Sequence, residues 1–79
     1  MFAEQKGLTA YNNKDFEAAE YSYNEALASN PADKDDFFMR GMCKFLLGNK
    51  AGACEDWNKG KALGSTGAID KVLAEYCNK

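Results

Sequence analysis

The stretch Asn13–Pro31, NKDFEAAEYSYNEALASNP, holds the single proline of the chain, and its reading decides the fold. Phe16, Ala19, Tyr23, Ala26 and Leu27 recur at steps of three or four, the period of one helix face. Asp15 is a good N-cap type immediately before the first apolar residue. Pro31 cannot continue a helix and restricts Asn30 before it, so the segment ends there. Small and large side chains alternate along the face, which suits close packing on a neighbouring helix.

Working outward, Phe2–Asn12 reads as a helix that leads into the polar turn Asn13-Lys14-Asp15. Beyond NPADKDD comes a second apolar-rich stretch, FFMRGMCKFLL (37–47), ended by Gly48-Asn49. KAGACEDWNKGKAL (50–63) reads as a fourth helix and stops at Gly64. Ser65 or Thr66 then caps a short last helix, 67–79, with Ile69, Val72, Leu73 and Tyr76 on one face. No segment sustains a period-two alternation, so the expected class is all-α with about five antiparallel helices.

Composition narrows the chemistry. A chain of 79 residues makes one small domain with a thin stability margin. A net charge of -2, with acids and lysines interspersed, gives no basic face for nucleic acid. No apolar run is long enough to span a bilayer, and the opening MFAEQKG lacks the pattern of a signal peptide. Histidine is absent, which excludes Ser-His-Asp and Cys-His chemistry and the commonest zinc ligand. Cys43, Cys54 and Cys77 are widely spaced and form no metal-ligand motif, so neither a metal nor a cofactor is expected. Glu55 and Asp56 are adjacent on a helix and diverge, and no nucleophile–base pair or phosphate loop occurs. The chain is not expected to be an enzyme.

Sliding the sequence against itself by 34 residues answers what the neighbouring helix is. Gly7 falls on Gly41, Lys6 on Arg40 and Tyr11 on Phe45, while Ala19 falls on Ala53. Tyr23 falls on Trp57, Asn24 on Asn58 and Ala26 on Gly60, with no gap. Small residues pair with small and aromatics with aromatics, as repeated packing requires. A glycine inside a helix costs roughly 1 kcal/mol relative to alanine. Two of them at equivalent places imply a packing cause: the second helix of each unit approaches closely there.

On these residues the chain resembles the tetratricopeptide repeat family, whose unit is a helix-turn-helix of about 34 residues. Gly7, Tyr11, Phe16, Ala19, Tyr23, Ala26, Leu27 and Pro31 stand at the places expected of one unit. Phe37, Gly41, Phe45, Gly48, Ala53 and Trp57 do so in a second. Ala3, Lys50 and Ser65 depart from the pattern, where larger, aromatic and proline residues are usual. The resemblance implies a right-handed solenoid of helical hairpins, with repeats at 1–33 and 34–66 and a capping helix at 67–79. The endings GACEDWNKGKALGSTGAID and AEYC look like the close of an array in bacterial members of the family.

Such arrays are binding scaffolds, so the expected function is protein–protein interaction, with a partner peptide or helix in the concave groove. By resemblance the groove positions are Glu4, Leu8, Tyr11 and Asn12 from the first unit, and Asp35, Phe38, Met42 and Phe45 from the second. Glu4, Leu8 and Met39 stand where a clamp for an anionic chain end would need lysine and asparagine, which disfavours that mode. The alternative is a structural, self-associating segment of a longer solenoid, because two units are fewer than such arrays usually need. A capping helix that runs back along the last unit's second helix brings Cys77 beside Cys54 and leaves Cys43 apart. The two sulfurs then either pack as small apolar groups or form a disulfide. The default compartment is cytoplasmic, and a bridge would move it to the periplasm or outside the cell.

Overall fold

The computed structural model describes residues 2–64 and 66–77. Five helices follow one another: α1 (Phe2–Asn12), α2 (Phe16–Ser29), α3 (Lys34–Leu46), α4 (Lys50–Ala62) and α5 (Gly67–Val72). The chain runs on from α5 into a wider, π-type turn over Leu73–Cys77. Each helix packs on the next in sequence, and the last segment packs on α4. Ser65, one of the two candidate caps, and Asn78 and Lys79, assigned to the last helix, lie outside the described residues.

Polar side chains start the helices. An Asp15 oxygen accepts from the Ala18 N–H at 3.3 Å, and Asn49 Oδ1 accepts from the Gly52 N–H at 2.9 Å. Thr66 Oγ1 accepts from the Ile69 N–H at 3.2 Å. The third helix begins at Lys34 rather than at Phe37, where the apolar pattern starts. Asp33 explains the difference: its Oδ1 accepts from the N–H groups of Asp35 at 3.0 Å and Asp36 at 3.2 Å. Acidic side chains in that first turn also oppose the positive end of the helix dipole.

The two helical pairs use one turn. Between α1 and α2, the N–H groups of Asn13, Lys14 and Asp15 donate to the carbonyls of Thr9, Tyr11 and Ala10. Between α3 and α4, those of Leu47, Gly48 and Asn49 donate to Cys43, Phe45 and Lys44, each 34 residues further on. The reversing residue is left-handed both times, Lys14 at φ 63° and Gly48 at φ 91°.

The same correspondence sets the spacing of the paired helices. A Cβ on Gly7 would stand 2.6 Å from Tyr23 Cε2, and one on Gly41 would stand 2.7 Å from Trp57 Cδ1. Only a missing side chain lets each ring lie flat against the facing backbone. Around these contacts sit two cores. Ala19, Tyr23 and Cys43 form one, with Ala10, Tyr11 and Met39 against it. Ala53, Trp57, Ile69 and Leu73 form the other, with Phe38, Met42, Phe45 and Tyr76 packed on it. The Trp57 indole N–H donates to the Phe38 carbonyl at 3.1 Å, so the ring is satisfied as well as buried.

A buried charge lies beside this second core. Asp56 is fully enclosed and accepts from Arg40 Nε at 2.9 Å and Nη2 at 2.7 Å, with Lys44 Nζ at 3.3 Å. Arg40 also donates to Asn24 Oδ1 at 3.0 Å, so one guanidinium links α2, α3 and α4. A buried carboxylate left without such a partner would cost about 3–5 kcal/mol.

Gly41→Leu is expected to destabilise the chain by about 1–3 kcal/mol in urea unfolding, because the new side chain collides with Trp57. Gly67→Ala is the control, since nothing lies within 4 Å of a Cβ there. It is expected to be neutral or to stabilise by up to about 1 kcal/mol. Equal stability of Gly41→Leu and wild type would overturn this account of the packing.

Candidate functional site

Six of the eight residues assigned to a groove divide into two groups, and Tyr11 and Asn12 belong to neither. Glu4, Leu8 and Asp35 line a hollow between α1 and α3, together with Gln5, Tyr23, Asp36 and Met39. Phe38, Met42 and Phe45 do not open into it. They are half-buried and pack against the cluster formed by α4 and the last helical segment. Phe45 stacks near Tyr76 with ring centroids 4.5 Å apart and lies 5.9 Å from Trp57. Tyr11 packs on the first core and meets Phe16 edge to face at 5.5 Å, and Asn12 is exposed at the end of α1.

The hollow has a volume of about 280 Å³. Its walls are the exposed Leu8 and the half-buried Met39, and the aromatic ring of Tyr23 reaches it from α2. Its polar side is acidic. Asp36, at 2% exposure, is nearly enclosed, and no donor among the described residues reaches its Oδ2. Carboxylate oxygens of Glu4, Asp33 and Asp36 all lie within 4.8 Å of one another. Burial first, then a hydrogen bond to Glu4 and the charges of Asp33, Glu4 and Asp35 push the Asp36 carboxyl from 3.8 up to about 7. The Tyr23 hydroxyl is pushed up to about 12, chiefly by burial, and stays neutral. A larger hollow of about 450 Å³ lies on α1 and the following turn, but exposed side chains such as Lys6, Thr9 and Asp15 form most of its lining.

Glu4, Asp33 and Asp36 are the set among the described residues that could hold a metal ion. Hard cations take about six to eight oxygen ligands, and one oxygen of Asp33 is already committed to the α3 cap. Beyond Gln5 and Asp35 the walls supply thioether, hydrocarbon and an aromatic ring. The set is a better match for an organic cation than for a metal.

Cys54 and Cys77 are joined by a disulfide that ties the end of the chain's last helical segment to the first half of α4, with Cα atoms 5.8 Å apart. That segment runs back along α4 from the Gly64 reversal, where φ is 117°, and its turn widens where Tyr76 meets Phe45 and Cys77 meets Cys54. Cys43 stays apart as a free, buried thiol. Burial, then the charge of Glu20, pushes it up to about 11, so it is a packing residue without nucleophilic character.

Gln5, Tyr23, Asp36 and Met39 are absent from the set read off the sequence. Asp36 carried one signal: its place in a run of acids, Asp33, Asp35 and Asp36, just after the proline. Among the described residues no helix is long and apolar enough to cross a membrane. No family model matches the chain, and no curated protein or solved structure matches it either.

Two measurements test this geometry. Thiol titration of the unfolded, unreduced protein is expected to find one free thiol, and reduction is expected to cost roughly 3 kcal/mol of stability in the chain-entropy account. Three free thiols would remove the bridge. The second test is pH. The folded chain keeps a proton on Asp36 that the unfolded chain has released, so this group's contribution is greatest near pH 4 and is lost as pH rises through 7. Unfolding midpoints are expected to fall between about pH 4 and 7 in wild type through this group, and Asp36→Asn should flatten that fall. An unchanged slope in the variant would remove Asp36 as its source.

Proposed function

We propose that this chain is a protein–protein interaction module of the tetratricopeptide kind, two helical hairpins and a capping helix, that holds a partner's peptide or helix between α1 and α3. One observation carries the reading: the hollow lined by Leu8, Met39 and Tyr23 with Glu4, Asp35 and Asp36 at its polar side. Apolar walls with a few convergent polar groups are the usual make-up of a recognition site. The repeated turn and the paired contacts Gly7–Tyr23 and Gly41–Trp57 support the hairpin-repeat part of the proposal. A right-handed solenoid would follow from stacking such hairpins with a constant hand.

The Cys54–Cys77 bridge favours an oxidising compartment, since exposed thiol buffers keep cytosolic cysteines reduced. The second reading, a self-associating segment of a longer array, draws on Tyr21, which stands 66% exposed on the outer side of α2. Sedimentation over a range of concentrations separates the two: a stacking segment associates, and an adaptor stays monomeric.

The groove itself is tested by displaying random peptides against wild type and against Leu8→Gln, which removes the apolar wall and adds no charge. Leu8 is 48% exposed, so the substitution is expected to leave the melting temperature unchanged. Peptides enriched on wild type are expected to bind Leu8→Gln about tenfold or more weakly. Equal retention by both, or no enrichment, would remove the groove from the proposal.

A further inference from the structure

Among the described residues no ion pair gives the acids at the hollow a cation of their own. The ion pairs of the described residues engage Asp56, Glu55 and Asp70, and none engages Glu4, Asp33, Asp35 or Asp36. The nearest lysine in sequence, Lys34, carries its Nζ toward Gly64, about where a Cβ on that glycine would be 3.8 Å away. Elsewhere the same fold meets a buried carboxylate with an arginine. Arg40 makes a forked contact to Asp56 while its guanidinium stands 5.5 Å over the Phe37 ring. Asp36 is just as enclosed and lacks such a partner at Oδ2.

We propose that the hollow between α1 and α3 is a receptor for one arginine side chain of a partner segment. Its guanidinium is held by Asp36 and Glu4, and its methylene stem lies along Leu8 and Met39. The inference rests on the groove reading above and names the chemistry of its occupant. Three features fit together. Oxygens from Glu4, Asp33 and Asp36 lie within 4.8 Å of one another, close enough for one planar, five-donor group to serve more than one of them. Asp36 Oδ2 is a buried acceptor that no donor among the described residues reaches, and a guanidinium N–H would supply one. Leu8, Met39 and Tyr23 add hydrocarbon, thioether and an aromatic ring, which solvate an arginine stem, and Gln5 adds a polar side chain at the edge.

The proton on Asp36 gives the site a pH dependence. A cation displaces that proton, so binding tightens as pH rises through 7. The groups that face Asp36 are Glu4 on α1, Tyr23 on α2, and Asp33 and Asp35 at the start of α3. None of them is cationic.

The probes are two capped peptides, acetyl-Ala-Leu-Arg-Leu-Ala-amide and the same peptide with citrulline, which keeps the shape and loses the charge. Each is titrated into nitrogen-15-labelled protein with its disulfide intact, alongside calcium chloride alone. The arginine peptide is expected to shift the Leu8, Asp36 and Met39 amides in a saturable way, and more tightly at pH 8 than at pH 6. The citrulline peptide should bind about fivefold or more weakly. Asp36→Asn should abolish the preference, with Glu4→Gln as a second variant should the first fail to fold. Equal binding of the two peptides overturns the arginine receptor and leaves the groove standing. No shift from the arginine peptide, or shifts of these amides by calcium alone, also overturns it. Failure of the groove is read separately, from the display selection on Leu8→Gln.

Discussion

At Gly41 the backbone of α3 and the indole of Trp57 are so close that a methyl group could not stand between them. That contact lets α4 lie deep against α3, and the second core is assembled on it. Trp57 then spans from the Phe38 carbonyl on one side to Phe45 and Tyr76 on the other. The last helical segment has a place to dock because the indole and Ala53 form a surface for Ile69 and Leu73. In the first hairpin Gly7 and Tyr23 do the same at a smaller scale, and the tyrosine ring is left at the back of a hollow.

Two buried aspartates divide the molecule into a finished half and an open one. Asp56 has Arg40 and Lys44 against it, and the arginine reaches on to Asn24. Asp36 occupies a similar depth among carboxylates. The difference is geometric: Arg40 lies one turn beyond Asp36 on α3 and leans toward α4, where Asp56 takes its Nε and Nη2. The acid on the α4 side therefore has cations against it, while among the described residues those at the hollow beside α1 have none.

Much of the fold was legible because its determinants are local or periodic. The helices and their order follow from Asp15, Asn49, Gly48 and Gly64, and the hairpin spacing follows from a glycine facing an aromatic at matching places. The start of α3 was hidden, because Asp33, Asp35 and Asp36 look like a polar linker until one sees that Asp33 caps the others. The groove was read in part. Phe38, Met42 and Phe45 form a stripe that periodicity reveals, but what covers a stripe depends on where the last helix lies. Asp36 could not be found that way. Its surroundings come from side chains on other helices, Glu4 on α1 and Tyr23 on α2, a meeting that no spacing along one helix encodes.

The Cys54–Cys77 bridge also decides how the domain carries mechanical load. A pull applied at the C-terminal end passes from Cys77 across the sulfurs to Cys54 and into the early part of α4. The second half of α4, the Gly64 reversal and α5 form a closed ring beside that path and bear none of the tension. Force reaching the domain from that side is met by α4 lodged against α3, with Trp57 within the slack ring and Gly41 on the loaded side. The last helix is thereby a passenger under tension, and cutting the bridge would make it the first element to peel away.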